Sequence, residues 1–131
     1  MDNTAVAESF KRCEASGEFA EKFYEIFLSA FPKIAPFFVN TKFGKQRKLL
    51  RATVYVLVTR DVDDPKAKYQ LDKIGHSHSR TQRNIRPELH DLWLESLCKT
   101  VGEMDPEWGA DLENAWREKT QRGIAVITAV Y

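Results

Sequence analysis

The apolar residues of this chain recur every three or four positions with charged residues between them, from its first helix to its last. That period puts apolar side chains on one stripe of an α-helix. Val6, Phe10 and Cys13 stripe a first helix ended by Gly17, and Phe19, Phe23, Ile26, Phe27 and Ala30 stripe a second that stops at Pro32. Pro32 and Pro36 bracket a very short turn. Beyond the loop "VNTKFG", Leu50, Val54, Leu57 and Val58 predict a long third helix. The run "VYVLV" at 54–58 also suits a strand, but its flanks carry helical charge spacing and no other segment reads as a partner strand. Leu71, Ile74 and His78 stripe the next helix, and Leu89, Leu92, Trp93, Leu97 and Val101 the one after. Leu112, Ala115, Trp116, Gly123 and Val126 to Val130 cover the last. The expectation is an all-α chain of six to eight helices, one domain over residues 1–131.

Prolines sharpen the boundaries. Asp64 followed by Pro65 reads as a cap and a first helical residue, Pro87 opens "PELHDLW", and Asp105 with Pro106 reads as a third start. No internal repeat and no low-complexity linker interrupts the pattern.

With 131 residues the chain can bury about two-thirds of its unfolded surface. Twenty basic and nineteen acidic residues nearly cancel, which predicts no nucleic-acid footprint. No apolar run has the length of a membrane span. The opening "MDNTAVAESFKRCE" lacks a hydrophobic signal core, so the expected location is the cytoplasm. Cys13 and Cys98 fit no metal or redox spacing and sit on apolar stripes, as two buried, reduced thiols would.

Chemistry concentrates in "IGHSHSR", residues 74–80. On a helix over 66–79, His78 follows Ile74 by four and Leu71 by seven, which puts it on the apolar face; His76 faces nearly opposite. Two imidazoles at that spacing cannot clamp one metal ion, and His90 lies too far along the chain to complete such a site. A lone inward histidine is ordinarily a hydrogen-bonded core residue. Its company here is unusual. Gly75 would let something large and flat approach the backbone, and Phe23, Tyr24, Phe27, Phe31, Phe37 and Phe38 crowd into sixteen residues. An apolar pocket with one inward imidazole suits a haem, whose iron takes one neutral imidazole nitrogen.

The segments "FYEIF", "P…PFF", "KQRKLL" and a histidine followed at short range by "IRPEL" resemble the globins in their order and spacing. They are most similar to single-domain bacterial globins and the haem domain of flavohaemoglobins, over essentially the whole chain. The resemblance implies the globin fold and a non-covalent haem b, since no Cys-x-x-Cys-His is present. It makes His78 the ligand of iron, Phe38 the ring against the haem face, and Tyr24 and Gln46 the distal pair. Leu50 lies one turn beyond Gln46, while Leu71 and Ile74 share the face of His78. Arg80, Arg83 and Lys42 are the expected partners of the haem propionates. Tyr24 and Gln46 would each donate to a bound diatomic gas, dioxygen or nitric oxide, and about 1–3 kcal/mol from each would slow escape roughly ten- to hundredfold.

The likeness has gaps. His90 stands where flavohaemoglobins carry a tyrosine, no carboxylate matches the one in their last helix, and the stretch from His78 to Pro87 is two residues longer. A strongly donating proximal histidine is therefore not expected, nor efficient nitric oxide dioxygenase chemistry, which would also need an external reductase. A different class stays open: a haemless globin-fold module that signals through a partner, with His78 as a core residue. Pairing into a homodimer also stays open.

Overall fold

Apolar stripes dictate six helices. The computed structural model describes residues 3–131, with no strand among them. Helix α1 (Asn3–Glu14) buries Val6, Phe10 and Cys13. Gly17 then takes φ of +75°, a left-handed conformation that glycine enters without a Cβ clash, and turns the chain into α2 (Phe19–Ala30). Phe31 leaves the helix extended, and Ala35–Phe38 form a single 3-10 turn with Pro36 inside it. Helix α3 (Phe43–Thr59) includes the whole β-branched run; Val54, Leu57 and Val58 are buried and Tyr55 is exposed, a helical alternation and not a strand's.

Helix α4 (Pro65–His78) starts as its sequence indicates, with the Asp64 carboxylate accepting from the Lys66 backbone N–H at 2.9 Å and Pro65 in the first turn. Pro87 opens α5 (Pro87–Met104). The third expected start is a correction. Helix α6 (Ala110–Thr128) begins at Ala110, and Asp105 instead closes α5. Its buried carboxylate accepts from Ser9 Oγ at 2.5 Å, from Arg12 Nε and Nη2 at 2.8 and 2.9 Å, and from the Glu107 N–H at 2.9 Å. A local Asp-Pro signal lost to long-range partners on α1.

The helices pack in a few dominant pairs: α2 on α5, α4 on α6, and α1 on α3 and α6. One large core spans α1, α2, α3, α5 and α6 around Phe19, Phe23, Val54, Leu97 and Trp116. A smaller cluster of Leu57, Leu71 and Ile127 joins α3, α4 and α6, and Trp93 of α5 packs against both. Glycine makes the tight crossings. A Cβ on Gly123 would lie 2.1 Å from Leu57 Cδ2, and one on Gly75 would lie 2.6 Å from the Ile127 carbonyl oxygen. Gly75 thus serves the close approach of α4 to α6, and not that of a flat ligand as the sequence suggested. Among the described residues no helix is long and apolar enough to cross a membrane.

Candidate functional site

His78 is the last residue of α4. The eight residues after it fold back on the helix end, with the Ile85 N–H donating to the His78 carbonyl at 2.8 Å and the Asn84 N–H to the Ser79 carbonyl at 2.8 Å. Asn84 takes φ of +51°, a left-handed position that asparagine tolerates better than most residues. This return places the start of α5 beside the end of α4. The rings of His78 and His90 consequently stack, centroids 5.5 Å apart and planes at 30°. His90 is therefore not remote, as its sequence position suggested; twelve residues of separation are undone by the fold-back.

The His78 ring is half-buried, and its Nδ1 is fully enclosed with no hydrogen-bond partner. Enclosed polar atoms are nearly always paired, and leaving one unpaired costs about 1–3 kcal/mol. Burial pulls the imidazole down to about 4, and the charges of His90 and Arg83 act the same way. His78 is thus neutral at ordinary pH. Burial lowers His90 too, against the opposing charge of Asp91.

Tyr24, Gln46, Phe38 and Leu50 come together. Gln46 Nε2 donates to Tyr24 Oη at 3.0 Å. Phe38 meets Tyr24 edge-on at 5.8 Å and Phe27 at 6.2 Å, and Leu50 is buried in the same core one turn past Gln46. Tyr24 is itself buried, which pushes its phenol up to about 12 despite the Gln46 bond. It stays protonated throughout the physiological range. Its own proton finds no acceptor among the described residues. Phe43 was not singled out in the sequence, yet it stacks on Phe38 at 6.0 Å and meets Tyr24 edge-on at 5.6 Å. An aromatic three residues before Gln46 shares its face, and that spacing was the available signal.

The other expected residues take no part in the Tyr24–Phe38–Phe43 ring contacts or the Gln46–Tyr24 hydrogen bond. Leu71 is buried with Leu57 and Ile127, and Ile74 packs on that cluster. Lys42 is exposed at the start of α3, where its carbonyl accepts from the Gln46 N–H. Arg80 lies 4.7 Å over the Tyr131 ring and donates from Nε to the Tyr131 carbonyl at 3.3 Å, while Arg83 is exposed. Cys13 and Cys98 are free and buried, and burial pushes their thiols to about 12 and about 11, so both are inert. No three His, Cys, Asp or Glu side chains among the described residues are grouped so as to hold a metal ion.

Fold and site together define an all-helical protein that ends one helix in a neutral, half-buried imidazole and builds a phenol, an amide and three aromatic rings into another wall. The family model for globins matches residues 21–127, and the chain belongs to that family. It is 27% identical over 110 residues to an uncharacterized globin-like protein of Aquifex aeolicus (strain VF5), covering 80% of this chain and 73% of that one. It also superposes on a crystal structure from Pseudomonas aeruginosa PAO1, of a protein described as structurally highly homologous to a human hemoglobin. There the TM-score is 0.87 and the identity 39%, over 98% of this chain and 97% of the other.

Proposed function

We propose that this globin binds haem b non-covalently through His78 and reversibly holds a diatomic gas beneath Tyr24 and Gln46. The observation that carries the reading is the enclosed, unpaired ring nitrogen of His78. A neutral imidazole is what an iron ligand must offer, because only the unprotonated ring nitrogen has a lone pair to give, and no protein group claims the His78 ring by a hydrogen bond to Nδ1. Haem, where bound, would supply an iron able to take an imidazole nitrogen and a gas, with His78 as the residue that holds it.

The chain's own residues account for the rest. Gln46 fixes the phenol of Tyr24 by donating to its oxygen, which leaves the phenolic proton as the donor toward a guest. Because that phenol does not ionise near neutrality, it donates over the whole physiological range. Phe38 and Phe43 exclude water from the same wall, which strengthens any hydrogen bond made there. Lys42, Arg80 and Arg83 supply positive charge for the propionates, with Arg80 held in place by Tyr131. Turnover such as nitric oxide dioxygenation would need a supply of electrons to the iron.

Titration of the purified protein with haemin tests this. A Soret band should grow to one equivalent, and His78→Ala should lose it or shift it while the helical circular dichroism persists. A wild-type chain that stays folded and takes up no haem would overturn the haem reading and leave the haemless interaction module standing.

A further inference from the structure

The near-neutral total conceals a segregated charge. Between Glu25 and Asp61 the chain carries seven basic residues and no acidic one, so the remainder is net acidic. Arg60 pairs with Asp64, and Arg47 and Arg51 are partly buried. Lys33, Lys42, Lys45 and Lys48 are exposed, and none makes an ion pair among the described residues. Apolar side chains stand out among them: Phe37 is 46% exposed, Val39 77% and Leu49 52%. Lys45, Lys48 and Leu49 lie on the outer face of α3, opposite buried Leu50 and Val54. Lys45 adjoins Gln46, so the patch borders the Tyr24–Gln46 wall.

We propose that this corner, from the 3-10 turn through the first half of α3, is the docking surface for an acidic one-electron carrier protein holding a reduced flavin or iron–sulfur cluster. Exposed, unpaired lysines steer an oppositely charged partner over a long range at little desolvation cost. A few protruding apolar residues then give the short contact typical of small, transient redox encounters. The location selects the partner. A carrier seated here lies beside the proposed haem pocket, and electron transfer weakens steeply with separation. A second copy is disfavoured, because an isologous pairing would set the same lysines against one another. A phosphate backbone would leave Phe37, Val39 and Leu49 unfilled, and an anionic bilayer gains nothing from the nearness of Gln46.

Resting on the haem reading, the step is a simple exchange. One electron leaves the carrier's reduced centre, which is oxidised by one unit, and enters ferric haem iron, which becomes ferrous. No bond between heavy atoms forms or breaks, and any proton a flavin releases goes to solvent.

The probe is a purified acidic flavodoxin, with association followed by stopped flow on both the haem-free and the haem-loaded protein. Lys45→Glu with Lys48→Glu should slow association about tenfold or more at low salt. The wild-type advantage should vanish near 1 M salt, where screening acts over about 3 Å. Lys11→Glu with Lys99→Glu makes the same change of charge on α1 and α5, and should slow association far less. In the loaded protein, the rate of ferric reduction by reduced flavodoxin should fall in parallel with association. Equal association of wild type and Lys45→Glu/Lys48→Glu would overturn the proposal. So would flavodoxin failing to bind while phosphatidylglycerol vesicles or duplex DNA bind in a Lys45- and Lys48-dependent way. Docking without any haem uptake would sink the haem reading and leave the surface standing.

Discussion

Gly75→Ala adds one methyl group at the point where α4 meets α6, three residues before His78. The new Cβ would lie 2.6 Å from the Ile127 carbonyl oxygen and 2.6 Å from Val130 Cγ2. The valine can rotate away; the carbonyl belongs to the backbone of α6 and cannot. The two helices must therefore part by roughly half an ångström, an overpacking that costs about 1–3 kcal/mol. Alanine returns about 1 kcal/mol over glycine inside a helix, so the net loss is about 0–2 kcal/mol. Gly44→Ala isolates the conformational part, since a Cβ there meets nothing within 4 Å. That variant should gain the same helix term of about 1 kcal/mol. Urea unfolding followed by far-UV circular dichroism should then separate the two by about 1–3 kcal/mol, with Gly44→Ala the more stable. Because α4 carries His78, Gly75→Ala should also weaken haem uptake more than Gly44→Ala does. Equal stability of the two variants would refute the close α4–α6 crossing and the account of where it sets His78.

Asp105→Asn should destabilise by about 2–4 kcal/mol at neutral pH, because it strips a buried counter-charge from Arg12 while Ser9 and the Glu107 N–H keep a poorer acceptor. Burial alone would raise the Asp105 carboxyl, but Arg12, Ser9 and the Glu107 N–H hold it below the ordinary carboxylate value. Its contribution is therefore complete above about pH 5 and lost as pH falls through that depressed value. Acid titration of stability should show the gap between wild type and Asp105→Asn closing below about pH 4, and a gap that widens in acid would contradict the assignment. In haem-loaded protein, Tyr24→Phe removes the phenolic donor and leaves Gln46 without its acceptor, so gas escape measured by rapid mixing should quicken about ten- to hundredfold. An unchanged rate would mean that the phenol does not face the guest.

Much of this was legible in order along the chain because helical stripes are a local property. Val6, Phe23, Val54, Leu97 and Trp116 were placed inside by period alone, and all are buried. Asp64 and Pro65 started a helix because a cap needs only its next few residues. The misreadings share one physical cause. Asp105 carries a capping signal but answers to Arg12 and Ser9, more than ninety residues away. Gly75 reads as room for a ligand until Ile127 is set against it. His90 reads as distant until the loop after Ser79 turns back. The lysines of α3 were visible as residues, yet a summed charge of +1 hid their segregation.

The two halves of the candidate site belong to different packing units, and this bears on how it would hold anything. Tyr24, Leu50, Phe38 and Phe43 are part of the large core or packed on it, with Phe23, Trp116 and most of the buried surface behind them. His78 ends a helix whose principal support is α6, where Leu71 and Ile127 join Leu57 in a small cluster separate from the large core. Local stability follows the buried apolar surface beneath an element, so the His78 end of α4 should open more readily than the Tyr24–Gln46 wall. Trp93 packs on both clusters from α5, and among the described residues no hydrogen bond or ring contact joins His78 to Tyr24. A ligand held by His78 and covered by the Tyr24–Gln46 pair would supply that missing link, and its binding energy would add to the stability of α4 before that of any other helix.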